Sequence, residues 1–285
     1  MLTVTDVSRN LGMYLHEPYA GLLSGILFGT KQTISGKLYE NLITSGTLHI
    51  IALSGTNITI LTNLVAKALK PFLSRRVTGL LTILIIMGFV WFVGASPTIV
   101  RAALMGSITL MSVIFGRPAW ALWTWIITVI TMTASGLASV KDLSFQLSAG
   151  ASLGLILFSR NDRSPIAGQA IYGKHNSGLM FLRHITGNIV RVVDADIQAT
   201  LAAQLFTVPI IMFTFRRISL VAPLSNLLIG WILPPMTAVG LVTALAAYVF
   251  PPLAAILSYV VWLPLRYIVM VVDVTSRIPG AAIVW

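Results

Sequence analysis

The sequence predicts an all-α fold, a polytopic transmembrane helical bundle with about eight or nine membrane segments, some of them broken or re-entrant. Three observations lead there. Of 285 residues, 56% are hydrophobic and only 9% charged, with a mean hydropathy of +0.90, far from the composition of a water-soluble domain. Apolar runs fall at about 49–69, 77–94, 97–115, 119–138, 143–159, 197–213, 218–233, 235–249 and 253–273, most of them near the length that crosses hydrocarbon as a helix. The strict two-residue alternation of a transmembrane barrel is absent, so helices remain as the way to satisfy backbone groups in lipid.

Taken in order, residues 1–48 read as an amphipathic lead-in, 49–159 as a first helix group, 160–196 as a basic cytoplasmic segment and 197–285 as a Pro-rich second helix group. Together they are expected to form one membrane domain, 1–285, because no low-complexity linker divides them. The opening MLTVTDVSRN has no apolar core after a basic start, so no removable signal peptide is expected. With no cysteine and only four histidines, none in an HxxxH or HxH pattern, no metal or other cofactor is expected.

Lysine and arginine number 19 against eight acidic residues. Lys67, Lys70, Arg75 and Arg76 place the first tight loop on the cytoplasmic side of a cytoplasmic (inner) membrane, and alternation returns Arg117 and the 160–196 segment to it. Arg216 and Arg217 disagree if 197–213 crosses fully, which suggests a re-entrant segment or a shifted register there.

The first polar intrusion is HIIALSGTNITILTNLVAKALK, from residue 49. On a helix His49, Thr56, Thr59, Asn63, Lys67 and Lys70 fall within a face of about 80 degrees, a polar stripe ending in positive charge. Two readings stand. The hydroxyls and Asn63 bond neighbouring helices while the lysines snorkel, or the stripe is one wetted wall of a path for an anion. Gly55 also offers a place for the helix to break.

In GASPTIVRAALMGSITLMSVIFGR, Pro97 suits a helix start and Arg101 follows about one turn in, sharing a face with Thr98, Thr109 and Ser112. Arginine within a span is costly, so Arg101 either snorkels to headgroups or faces a watery interior and contacts phosphate or a polar partner. Gln146 and Ser148, with Ser144 and Ser152, read as close helix packing. From Thr200 to Val239 the prolines at 209, 223, 234 and 235 predict kinked or half helices around Gln204 and Asn226.

No carboxylate lies mid-span, which weakens a cation antiporter or pump. The absence of GxxxxGK[ST], HExxH and paired in-span carboxylates argues against an ATPase, a zinc protease or a glycosidase, so the chain reads as a transport protein and not an enzyme.

Several stretches in order carry a resemblance: HIIALSGTN at 49–57, RAALM at 101–105 with GR at 116–117, FQLSAG at 145–150 and VPIIMFTFRRISLVAPLSNLLIGWILPP at 208–235. Together with the lead-in AGLLSGILFGTKQTISGKLYENLITSGTLH, the chain from about 17 to 275 resembles the competence domain of the ComEC family. The resemblance implies a polytopic channel that takes up single-stranded DNA in natural transformation. Its motifs point to His49, Ser54, Gly55, Arg101, Gln146, Ser148 and Asn226. Where the family has a second histidine shortly after SG, this chain has Asn57. Larger members carry an oligonucleotide-fold domain and a metallo-β-lactamase-like nuclease domain. Neither is recognised in this sequence, so strand degradation is expected of another polypeptide or not at all.

The expected path therefore comprises His49, Ser54, Thr56, Asn57, Thr59, Asn63, Arg101, Gln146, Ser148 and Asn226, with basic exits at Lys67, Lys70, Arg75, Arg76 and Arg117. Its partners are single-stranded DNA, the lipid bilayer, and separate DNA-binding, nuclease or helicase proteins. Trp120, Trp123 and Trp125 read either as an interfacial belt or as base-stacking surfaces. Two alternatives remain: a secondary transporter or flippase for a small or lipid-linked anion, and a scaffold that docks a nuclease or helicase through 160–196.

Overall fold

The computed structural model describes residues 3–30, 34–51, 55–158, 198, 201–210, 214 and 217–284. The expected basic segment 160–196, Ser54 and Arg216 lie outside the described residues.

Helix α1 (Val4–Gly12) begins at a reciprocal cap: the Thr3 hydroxyl accepts from the Asp6 N–H at 3.3 Å, and the Thr3 N–H donates to Asp6 Oδ2 at 3.0 Å. Val7 and Leu11 form its buried stripe. Helix α2 (Tyr19–Phe28) is apolar all round, and every residue from Ala20 to Phe28 is buried, as such a helix must be. At 10 residues it is a core element and too short to span. Gly29, with φ +72°, ends it in the left-handed conformation, its N–H reaching Gly25 O at 2.8 Å.

Helix α3 (Gly36–Thr44) is capped by Ser35 and is followed by a 3-10 turn at Leu48–Ile50. Between them Gly46 has φ +71°, and a Cβ there would collide with Ala222, so the position is closed to other residues on two counts. Then come α4 (Gly55–Leu69), α5 (Arg75–Val93), α6 (Pro97–Ile114), α7 (Ala121–Ala134), α8 (Leu143–Phe158) and α9 (Leu201–Ile210). The last part holds β1 (Arg217–Ser219), α10 (Ala222–Gly230), α11 (Leu233–Val249), α12 (Pro251–Ser276) and β2 (Ala282–Val284). The two three-residue strands pair antiparallel, a minor addition to the expected all-helical fold.

Among the described residues, four segments are long and apolar enough to cross a membrane, 48–69, α5, α6 and α12, or five if α10 and α11, bent by 55°, make one broken span. The chain is a multi-pass membrane protein, and the described residues account for four or five of the eight or nine expected segments. Sequence runs include flanks that are not helical: the 119–138 run holds a 14-residue helix stopped before Gly136, at φ +70°. Of the expected 197–213 crossing, the described residues 198 and Leu201–Ile210 (α9) are helical. Several prolines initiate helices instead of kinking them. Pro97 opens α6, and Pro223, Pro234 and Pro251 sit in first turns, where an N–H has no intrahelical acceptor to lose.

The chain forms two compact units, Met1–Leu61, Gly88–Ile99 and Phe215–Trp285 in the first, Thr62–Met87 and Val100–Thr214 in the second, with boundaries inside α4, α5 and α6. In the first unit α2 packs against α1, α11 and α12, and Leu22, Leu23, Ile26 and Leu27 share a core with Met236, Leu265, Ile268 and Val272. Gly240 sets the α2–α11 approach, since a Cβ there would sit 2.8 Å from Leu23 Cδ1. In the second unit the Trp125 indole N–H of α7 donates to Ala149 O at 3.2 Å and Ser152 Oγ at 3.1 Å on α8. Gly154 accommodates the Ala202 carbonyl of α9, and Gly79 accommodates Ile114, whose Cδ1 would lie 2.7 Å from an added Cβ.

Candidate functional site

The expected polar stripe divides at its start. His49 lies exposed in the 3-10 turn, while α4 begins at Gly55, the glycine where a break was expected. Along α4, Ile58, Thr62 and Ala66 form the buried row. Thr56, Lys67 and Lys70 are exposed, and Thr59 and Asn63 are half-buried. The stripe is therefore left open along α4 with its lysines at the C-terminal end, where positive charge complements the helix dipole.

Asn57 departs from the stripe. It is 6% exposed, and its Nδ2 donates to Ile26 O at 2.6 Å. Ile26 is in the last turn of α2, whose carbonyls lack intrahelical partners, so Asn57 caps a buried helix end. This side chain is occupied by the fold and is a poor choice for a path residue.

Arg101 is one turn inside α6 and 9% exposed. Its Nε and Nη1 have no hydrogen-bond partner among the described residues. Snorkelling to headgroups, one of its two sequence readings, would leave it exposed at the chain's surface, and it is not. Its expected polar companions turn inward on their own helix: Thr109 donates to Met105 O at 2.8 Å and Ser112 to Ile108 O at 3.1 Å. What α6 leaves unmatched in this group is the guanidinium.

Gln146 is occupied locally, its Nε2 donating to Val140 O at 2.8 Å, just before α8. Ser148 is buried on α8, and Asn226 is half-buried on α10; neither the Ser148 hydroxyl nor Asn226 Oδ1 has a hydrogen-bond partner among the described residues. His49, Thr56, Asn57, Thr59 and Asn226 belong to the first unit; Asn63, Arg101, Gln146, Ser148 and all five expected basic exits belong to the second.

All five exits, Lys67, Lys70, Arg75, Arg76 and Arg117, are exposed. Arg75 has a structural contact as well, its Nη2 donating to Val113 O at the end of α6. Next to Arg117 a groove of about 400 Å³ is lined by Ser112, Pro118, Trp120, Trp123 and Thr124, with both indoles largely exposed. Trp125 is spent on α8 and is not part of an aromatic surface.

Sequence reading missed Arg266, which sits in the middle of α12 and is exposed. The signal was a lone cation inside the longest apolar run, obscured by attention to carboxylates. Its guanidinium lies over the Trp262 ring, 5.2 Å from the centroid.

Comparison with known proteins accords with the sequence resemblance. The family model described as Competence protein matches residues 26–285. ComE operon protein 3 of Bacillus subtilis (strain 168) is 24% identical over 233 residues, which cover 80% of this chain and 27% of that protein. The chain thus spans about a quarter of that relative's length. No solved structure matches. With the family match running through all but the N-terminal stretch, the chain belongs to the Competence protein family.

Proposed function

We propose that the chain is a channel in the cytoplasmic membrane through which single-stranded DNA is imported during natural transformation, with the driving force supplied by a partner. One observation carries the reading: Arg101, on a span-length helix, is buried and has no hydrogen-bond partner among the described residues. A buried guanidinium without an anion is unfavourable, and one phosphate per nucleotide in a passing strand would supply anions repeatedly. Family membership and the likeness to a ComE operon protein support it. The open α4 stripe fits as well, because hydroxyls inside with lysines at the end hold a polyanion weakly enough to release it. His49, Thr56, Thr59, Asn63, Ser148 and Asn226 are the remaining wall candidates, and Lys67, Lys70, Arg76 and Arg117 the exits.

The test is uptake of labelled single-stranded DNA, or DNA-dependent current, in liposomes containing this protein. Arg101→Ala, and separately Lys67→Ala with Lys70→Ala, should reduce it while insertion stays normal. Unaltered uptake at equal protein level sinks the proposal. A second reading, a carrier for a small or lipid-linked anion, draws support from the 55° break between α10 and α11, since discontinuous helices often line carrier sites. A carrier would transport the small anion and exclude a long strand.

A further inference from the structure

The outward face of α12 has a feature that neither lipid nor a DNA path explains. Ala254, Ser258, Val261, Leu265, Ile268 and Val272 form its buried row against the first unit's core. On the opposite side Ile256, Tyr259, Leu263 and Met270 are between 64% and 78% exposed, and Arg266 falls among them. Positions 256, 259, 263, 266 and 270 advance by alternating steps of three and four, the spacing of a seam that packs along a second helix.

Arg266 cannot readily leave the membrane. It lies about 15 Å along the axis from the nearer end of the helix, at Ser276. At that end Asp273 pairs with Arg277 at 2.7 Å and accepts from Asn41 at 3.3 Å, polar groups that mark the water-facing side. The Arg266 side chain turns the other way, over Trp262, and Trp262 is itself held edge-on by Tyr19 with ring centroids 6.1 Å apart. A helical side chain leans toward the N-terminus, and here that lean carries the charge deeper.

We propose that this face docks a transmembrane helix of a second protein, one that carries an Asp or Glu at the depth of Arg266. Lipid alone would leave the guanidinium in hydrocarbon. A second copy fits worse: both copies insert with one topology, so their α12 helices run parallel and a two-fold contact along this seam sets Arg266 against Arg266. Nor does a copy offer the anion from a described candidate span, because Asp273 is the sole acidic residue in those spans and is already engaged. A hydrated strand path would have to wet Ile256, Leu263 and Met270 on both sides of the charge.

The inference goes beyond the proposed DNA path and does not depend on it. The chain has no native cysteine, so a fluorophore can be placed on exposed Lys141→Cys in the full chain, reconstituted in vesicles. The probe is a synthetic Leu/Ala helix of about 20 residues with one central Glu, compared with central Gln and central Leu versions. The Glu peptide should associate about tenfold more tightly than the Leu peptide, with the difference kept in Arg266→Lys and lost in Arg266→Gln. Equal association of the three peptides, or a preference that survives Arg266→Gln, overturns the proposal. Leu263→Cys gives an independent measurement in the protein without peptide. It should neither form a disulfide-linked dimer nor react with a charged maleimide. A dimer would assign the face to a second copy, and reaction, whether or not single-stranded DNA blocks it, would assign it to a water-filled path; either result overturns the proposal.

Discussion

Replacing Arg101 with Met separates the cost of this residue to the fold from its use. The side chain is 9% exposed, and Nε and Nη1 make no hydrogen bond with the described residues. Each buried, unsatisfied donor costs on the order of 1–3 kcal/mol, and more when charged. Met retains much of the side-chain volume and removes both donors and the charge. Allowing for partial solvation through the exposed edge, Arg101→Met should stabilise the protein by about 2 kcal/mol, roughly thirtyfold in the unfolding equilibrium. The assay is equilibrium unfolding of the reconstituted protein followed by tryptophan fluorescence, beside DNA uptake in the same vesicles. Higher stability with lost uptake is the expected pair. A variant clearly less stable than the parent refutes the reasoning, because it would mean that Arg101 is already paired and holds the fold together.

Asn57→Leu removes the donor to Ile26 O and leaves a buried carbonyl unmatched, which should cost about 1–3 kcal/mol in the same unfolding assay; a neutral result would mean that α2 ends without help from Asn57. Gly46→Ala combines an unfavourable left-handed backbone with a collision against Ala222, so it should destabilise by about 2 kcal/mol or more, read as loss of folded protein. The Asp6 carboxylate is held below the usual range, chiefly by the Thr3 hydroxyl. A depressed value means the cap's contribution is present above the ordinary carboxylate range and is lost as pH falls through the Asp6 value. The protection of the α1 amides, measured as exchange relative to the intrinsic rate at each pH, should accordingly fall in acid, and Asp6→Asn should flatten that dependence.

The class of fold was legible because hydropathy survives any detail of packing, and Pro97 was legible as a helix start, whereas Pro223 and Pro234, read as breaks, stand in first turns. Membrane-segment number was less legible, since an apolar run does not reveal where its helix stops: Gly136 ends α7 at 14 residues within a run that reads longer. The polar pattern misled in another way. Thr82, Thr109, Thr124 and Thr128 are buried, and each hydroxyl donates to the carbonyl four residues earlier in its own helix, so sequence polarity there implies neither water nor a partner helix. Asn57 entered the expected path as the residue standing where the family has a second histidine, and one residue along a helix from Thr56 turns the side chain by about 100 degrees, here into the end of α2.

Arg101 and Arg266 show what decides between an inward and an outward role when two residues have the same chemistry and similar surroundings in the sequence. Each follows a proline by a few positions, and each lies on a helix long and apolar enough to cross a membrane. Neither propensity nor hydropathy distinguishes them. Packing does: α6 buries the residues around Arg101, Val100 and Ala103 among them, whereas α12 uses its buried row for the core and leaves Arg266 on the outer seam. On the two proposals, water or a passing anion comes into the protein to satisfy the first, while a partner helix within the membrane satisfies the second. A mutation that neutralises one should leave the other's readout unchanged, because the anions they require arrive from different places.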